Sequence, residues 1–338
     1  MARAQKPPMP IRSLLPGLAF ASAIALAAFA LEQVQLALLG RVWLDALVLA
    51  ILLGACARSL RPVPDACTRG ITFAAKPVME WAVALMGATV SLGALAGMGP
   101  VLVGAIVALI ALTIALGYAL GRWLGLSGRM ALLVACGNAI CGNSAIAAVA
   151  PTIDADGDDV AASIGFTAVL GIAVVLIVPV LAGALHLDAV RGGMLAGLTV
   201  YAVPQVLAAA HPLGPIAVQV GALVKLVRVL MLGPVVAVLS LVHRGGGGRG
   251  VAKGRFFPLF ILGFLALAVA HTAGMIPPAL CDAAHHASLL LTVLAMAGLG
   301  LSVDLALVAR AGLRVSASAI LCLMVLFAMA VLIVRVLA

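Results

Sequence analysis

Apolar residues run along this chain in blocks of roughly 16 to 24. That is the length at which a helix crosses a hydrocarbon core of about 30 Å. Short segments rich in charge, Gly or Pro separate the blocks. The pattern predicts eleven helices, at about 13–31, 42–57, 77–95, 99–120, 130–150, 160–183, 192–210, 215–242, 256–274, 287–306 and 315–335. A transmembrane barrel would show alternating segments of about ten residues instead. The expected class is therefore an all-α polytopic membrane protein with about eleven transmembrane helices.

Composition agrees with the pattern. Of 338 residues, 65% are hydrophobic and only 9% charged, which leaves too little polar surface to cover a soluble globule. The bases supply an orientation, because Lys and Arg collect in cytoplasmic loops. With the N-terminus inside, 16 of the 20 bases fall on the cytoplasmic side, and only Arg41 and Arg335 fall outside. Lys225 and Arg228 lie within a span. An odd span count, N-terminus in and C-terminus out thus support one another. The net charge of +9 needs no nucleic acid, since anionic lipid headgroups account for basic cytoplasmic loops. The Gly-rich basic segment 243–255 reads as a cytoplasmic linker, because nothing resembling a phosphate-loop Lys-Ser/Thr follows its four glycines. Ala28-Phe29-Ala30 also fits a signal cleavage site, but the first apolar run exceeds a usual signal core and favours a retained helix.

Six cysteines form no CxxC pair. No His/Cys cluster has metal-ligand spacing, so neither a metal nor another cofactor is expected. No nucleophile–base pair lies at membrane depth. The chain is not expected to be an enzyme.

Three spans carry groups that cost energy in lipid. The fifth contains Gly137-Asn138 and Gly142-Asn143, then Ser144. Gly and Asn are poor helix formers, and Ser and Asn compete for backbone groups, so an interrupted helix is expected, with Asn143 or Ser144 capping a second half. The alternative is a continuous helix packed closely through small residues. In the seventh span Pro204 frees a carbonyl, with Tyr201 and Gln205 on one face beside it; the plainer reading is a proline kink. The eighth holds Lys225 and Arg228, too deep to snorkel. Each needs an acid, such as Glu80 or Asp45, a cluster of carbonyls, or a bound anion. A weaker candidate for a second break is Gly298-Leu299-Gly300 in span ten. If spans five and ten both break, they hold the same place in two five-helix sets of opposite orientation, as in inverted-repeat transporters.

At these residues the chain resembles the YeiH-type sulfate exporter family. The resemblance rests on Ile140-Cys141-Gly142-Asn143-Ser144-Ala145-Ile146-Ala147-Ala148 with Pro151, and on Lys225-Leu226-Val227-Arg228 leading to Pro234. Lys76 with Leu85-Met86-Gly87, Phe166-Thr167 and Gln205-Val206 add to it. It implies a ten-helix inverted-repeat core, similar to bile-acid symporters and sodium/proton antiporters, plus one extra helix. The halves would be 41–185 and 186–338, after an N-terminal tail and helix in 1–40. Two departures matter. Where the family has a His–acid pair, this chain has Tyr201 and Ala202, and a family base is replaced by Glu80.

The expectation is a multi-pass protein of a bacterial cell inner membrane, exporting a small sulfate- or sulfite-like anion by alternating access. Its site would use Asn138, Gly142, Asn143, Ser144, Gln205, Lys225 and Arg228. Glu80 or Asp45 would couple H⁺ or Na⁺, and a homodimer is compatible with this reading. The alternatives are a cation antiporter in which the two bases are structural, a passive channel, or an intramembrane enzyme.

Overall fold

Where they are described, the expected apolar runs are mainly helical. The computed structural model describes residues 13–40, 44–60, 63–89, 99–242, 259–303 and 313–337, and no strand occurs among them. The linker 243–255, the tail bearing Arg3, Lys6 and Arg12, and Arg41 lie outside the described residues. Among the described residues, six segments are long and apolar enough to cross a membrane: Leu15–Leu38, Gly99–Trp123, Gly157–Ala184, Pro215–Val242, Pro278–Leu301 and Leu313–Leu337.

Contacts divide the chain into two units, Met1–Ala82 with His286–Asp304, and Val83–His285 with Leu305–Ala338. The first unit contains α1 (Leu15–Leu39), α2 (Ala46–Leu60) and α3 (Asp65–Phe73). A π-helical turn at Ala74–Val78, centred on Lys76-Pro77, leads into α4 (Met79–Met86). Small residues set the close packing here, as at Gly17 of α1 against the Cys67 carbonyl of α3. Gly298 and Gly300 serve the same purpose. A methyl group on Gly298 would come within 2.8 Å of Ala74 Cβ, and one on Gly300 would strike the Ile51 carbonyl. Both glycines lie within a helix that continues to Leu301, so the suspected break in span ten is a packing contact.

The second unit contains α5 (Gly99–Trp123), α6 (Gly128–Ala139), α7 (Asn143–Val149) and α8 (Gly157–Ala184). They are followed by α9 (Ala189–Thr199), α10 (Val203–Ala210), α11 (Pro215–Leu230) and α12 (Leu232–Val242). Next comes α13 (Leu259–Thr272); α14 (Pro278–Leu301) begins here and ends in the first unit, and α15 (Leu313–Leu337) completes the second.

The fifth expected span, 130–150, does not run through the unit; it folds back as a hairpin. Its first arm, α6, has 12 residues. At the rise of an α-helix it advances only about 18 Å before the break. The chain then reverses at Ile140–Gly142, and α7 returns beside α6, Ile146 packing on Leu133, Cys136 and Gly137. The hairpin's two ends are neighbours. Ser127 donates to Asp159 Oδ2 at 3.4 Å, and residues from both ends, Ser127 and Arg129 with Thr152, Asp154 and Asp159, line one cavity of about 1220 Å³.

The seventh expected span, 192–210, does the same. α9 ends at Thr199, Val200 and Ala202 hold extended backbone about a bend at Tyr201, and α10 returns until Leu213 lies against Gly192 near the start of α9. The two hairpins are built alike. Ser127 Oγ accepts from Met130 N at 3.1 Å, and Asp188 Oδ1 accepts from Arg191 N at 2.8 Å. Each hairpin thus begins on a side-chain N-cap. Each ends in a 3-10 turn holding a proline, Ala150–Thr152 and His211–Leu213, and each is followed by a segment of 28 residues. The first hairpin opens at the N-terminal end of α8, and the second at its C-terminal end, where Gly192 meets Ala182. They therefore approach one another along α8 from opposite directions.

Candidate functional site

The hairpin tips meet. Gly142 holds φ +66°, ψ −123° and turns the chain from α6 into α7. This left-handed conformation costs an L residue energy that glycine avoids. A methyl group there would lie 3.3 Å from Tyr201 Cβ of the other tip. Tyr201 donates its hydroxyl to Asn138 Oδ1, and Asn138 Nδ2 donates to the Ala319 carbonyl of α15 at 3.4 Å.

Interrupting a helix frees carbonyls on one side of the break and N–H groups on the other. Here the freed carbonyls face α11. Arg228 donates from Nε to Ala139 O at 3.3 Å, and from Nη2 to Ala139 O at 2.9 Å and Asn138 O at 3.2 Å. From Nη1 it donates to Gly197 O at 3.0 Å and Val200 O at 3.3 Å. Lys225 donates to Ile140 O at 2.5 Å. Both side chains are fully buried. Acid pairing, expected as one way to satisfy them, is not what does so. Their partners are carbonyls at the C-terminal ends of α6 and α9, the negative poles of those helices. All five donors of Arg228 are engaged. Lys225 has one acceptor among the described residues for its three protons.

The other expected residues divide between structure and site. Asn138 is buried and bonded at both ends of its amide. Asn143 is half-buried, its Oδ1 accepting from Thr167 Oγ1 of α8 at 2.5 Å, and Ser144 is exposed. Gln205 is buried against Gly171 of α8, and its Oε1 accepts from Ala202 N at 3.1 Å. Thr167 is absent from the site residues expected from sequence; its signals there are its place in the Phe166-Thr167 pair of the family resemblance and a hydroxyl within a long apolar run. Asp45 and Glu80 belong to the other unit. Asp45 Oδ1 caps α2 by accepting from Val48 N at 2.9 Å, and Glu80 is half-buried in the first turn of α4, just after the π-helical turn.

These features define a helical, multi-pass membrane protein whose polar groups converge on two interrupted hairpins. The family model described as Conserved hypothetical protein 698 matches residues 16–319. The chain belongs to this YeiH-like family, whose members include the UPF0324 membrane proteins. It is 52% identical to UPF0324 membrane protein Atu0671 of Agrobacterium fabrum over 84% of this chain and 82% of that protein. It is 51% identical to UPF0324 membrane protein BR0028/BS1330_I0028 of Brucella suis over 94% of each, and 37% identical to UPF0324 membrane protein TauZ of Paracoccus pantotrophus over 74% and 77%. No solved structure matches.

Proposed function

We propose that this protein is a secondary transporter of small anions in a bacterial inner membrane, working by alternating access at the junction of the two hairpins. One observation carries the reading. The carbonyls freed by the two interruptions, which would coordinate a cation, are covered by Lys225 and Arg228. The N-terminal ends of α7 and α10, by contrast, point their N–H groups toward the same junction. A site with its acceptors covered and a buried ammonium half-satisfied favours an anion. The same covering weighs against a sodium antiporter built on these tips, as does the use of Asp45 as a helix cap. Glu80 follows a π-helical turn, a feature that often marks functional sites. It is the coupling candidate for H⁺ or Na⁺.

Purified protein in liposomes is expected to pass sulfate or sulfite saturably, driven by the anion gradient or a coupled cation gradient. If no small anion moves under any gradient, the reading is abandoned.

The hairpins also revise the expected topology. Two of the eleven apolar runs would enter and leave on one face, giving nine crossings and leaving N-terminus in, C-terminus out unchanged. Segment 151–159 would then be cytoplasmic and 185–191 periplasmic. Only Arg191 changes to the outer side, and it lies 3.8 Å from Asp188. The charge bias therefore survives. In a cysteine-free background, Asp188→Cys is expected to react with an impermeant thiol reagent added outside intact spheroplasts, and Asp156→Cys only after permeabilisation. The opposite pattern would restore eleven crossings.

A further inference from the structure

The cavity at the open end of the first hairpin stands apart from the tips, with the length of α6 between them. Its volume of about 1220 Å³ exceeds the roughly 300–1,000 Å³ of ordinary small-molecule pockets. Its lining changes character with depth. Ile114 and Ala115 of α5, Leu132 of α6 and Leu239 of α12 supply apolar side chains from within helices. Ile114 stands nine residues before the end of α5, about 13 Å deeper at the rise of a helix. The charged residues Arg129, Asp154, Asp156 and Asp159 come instead from the first turns of α6 and α8 and the connection before α8. Tyr118 and Trp123 are exposed near the end of α5, and such aromatic side chains collect where a membrane meets water. The cavity thus runs from the level of lipid headgroups into the apolar layer.

Three carboxylates and one guanidinium line its outer part. Among the described residues none of the four belongs to an ion pair, and Asp159 accepts only from the Ser127 hydroxyl. An anionic headgroup would suit Arg129 but meet three acids. A primary ammonium brings three N–H donors and the opposite charge to those acids, and the phosphate beside it can take the guanidinium. We propose that this cavity binds a phospholipid whose headgroup carries a primary ammonium, as phosphatidylethanolamine does. The ammonium lies among Asp154, Asp156 and Asp159, the phosphate on Arg129, and a chain along Ile114, Ala115 and Leu239. The inference makes no use of the proposed cargo and is tested separately from it.

The test is native mass spectrometry of the full-length protein in detergent, offered phosphatidylethanolamine, phosphatidylcholine and phosphatidylglycerol with identical chains. The wild type is expected to retain one phosphatidylethanolamine at least about tenfold more tightly than either other lipid. Phosphatidylcholine keeps the charges but has no N–H to donate, and phosphatidylglycerol lacks the ammonium. Asp154→Asn combined with Asp156→Asn should reduce the preference to within about threefold. Asparagine tolerates the positive φ of 49° at position 154, and Asp156 has no side-chain cap bond to lose. Ala115→Trp fills the apolar end without touching a charge and should weaken retention of phosphatidylethanolamine by about tenfold. Equal retention of the three lipids by the wild type, or a preference for phosphatidylglycerol, overturns the inference. So does a wild-type preference that survives the paired asparagines, or retention undiminished in Ala115→Trp if the paired variant does not fold.

Discussion

Arg228→Met should destabilise the fold more than any other single change at the hairpin tips, by roughly 3–5 kcal/mol. The guanidinium binds four carbonyls on two chain segments, namely Asn138 and Ala139 of one tip and Gly197 and Val200 of the other. Methionine approaches its length but donates nothing. The four carbonyls at the ends of two helices would then lose a charged partner inside a fully buried site, and each unmet acceptor there carries its own desolvation cost. Lysine should rescue only part of the loss, since an ammonium lacks the planar fork that reaches both tips at once. Thermal unfolding of purified protein in detergent reads the effect directly. An Arg228→Met variant as stable as the wild type would mean that the tips are held by something other than this fork.

Lys225→Gln should have the opposite profile, with anion flux falling about 10- to 100-fold while the protein stays folded. Lys225 bonds to Ile140 O, and an amide nitrogen can replace that bond. What glutamine cannot replace is the charge and the further donors, the part of the side chain available to a cargo. The pair of substitutions therefore separates the two roles proposed for these neighbouring bases on α11, Arg228 holding the hairpins together and Lys225 meeting the anion. The comparison is counterflow in liposomes alongside the unfolding temperature. Undiminished flux in Lys225→Gln would assign both bases to structure and favour the alternative antiporter reading.

The interruption at Ile140–Gly142 is legible in the sequence because two Gly-Asn pairs are poor helix formers wherever they sit. The second interruption is not. Val200-Tyr201-Ala202 carries no helix breaker, and Pro204 suggests only a kink. The helix is nevertheless interrupted there, with Tyr201 reaching across to Asn138 and Arg228 binding the Val200 carbonyl. The glycine pattern points instead to Gly298 and Gly300 as a partner break, yet their small size answers to the neighbouring backbone of Ile51 and Ala74. Composition cannot tell a glycine that breaks a helix from one that admits another helix. Thr167 is hidden for a related reason, since a lone hydroxyl in an apolar helix usually bonds its own backbone. The single proton of this one is within reach of Ser163 O and Ile164 O, both at 3.1 Å, as well as of the Asn143 amide, and only the contact with Asn143 requires the folded unit.

The sequence by itself determined the solvent, the helical class, the charge bias along the chain and the depth of Lys225 and Arg228, because each is a property of residues counted along one axis. Whether an apolar run of some twenty residues crosses or turns back was decided only by tertiary structure. Both paths bury the same residues with the same period. They differ only in whether Ser127 ends beside Asp159 or a bilayer away from it. The same holds for the two bases. Their cost in lipid was legible from position alone, but their partners are carbonyls that exist as free acceptors only once two distant helices have been interrupted and brought together.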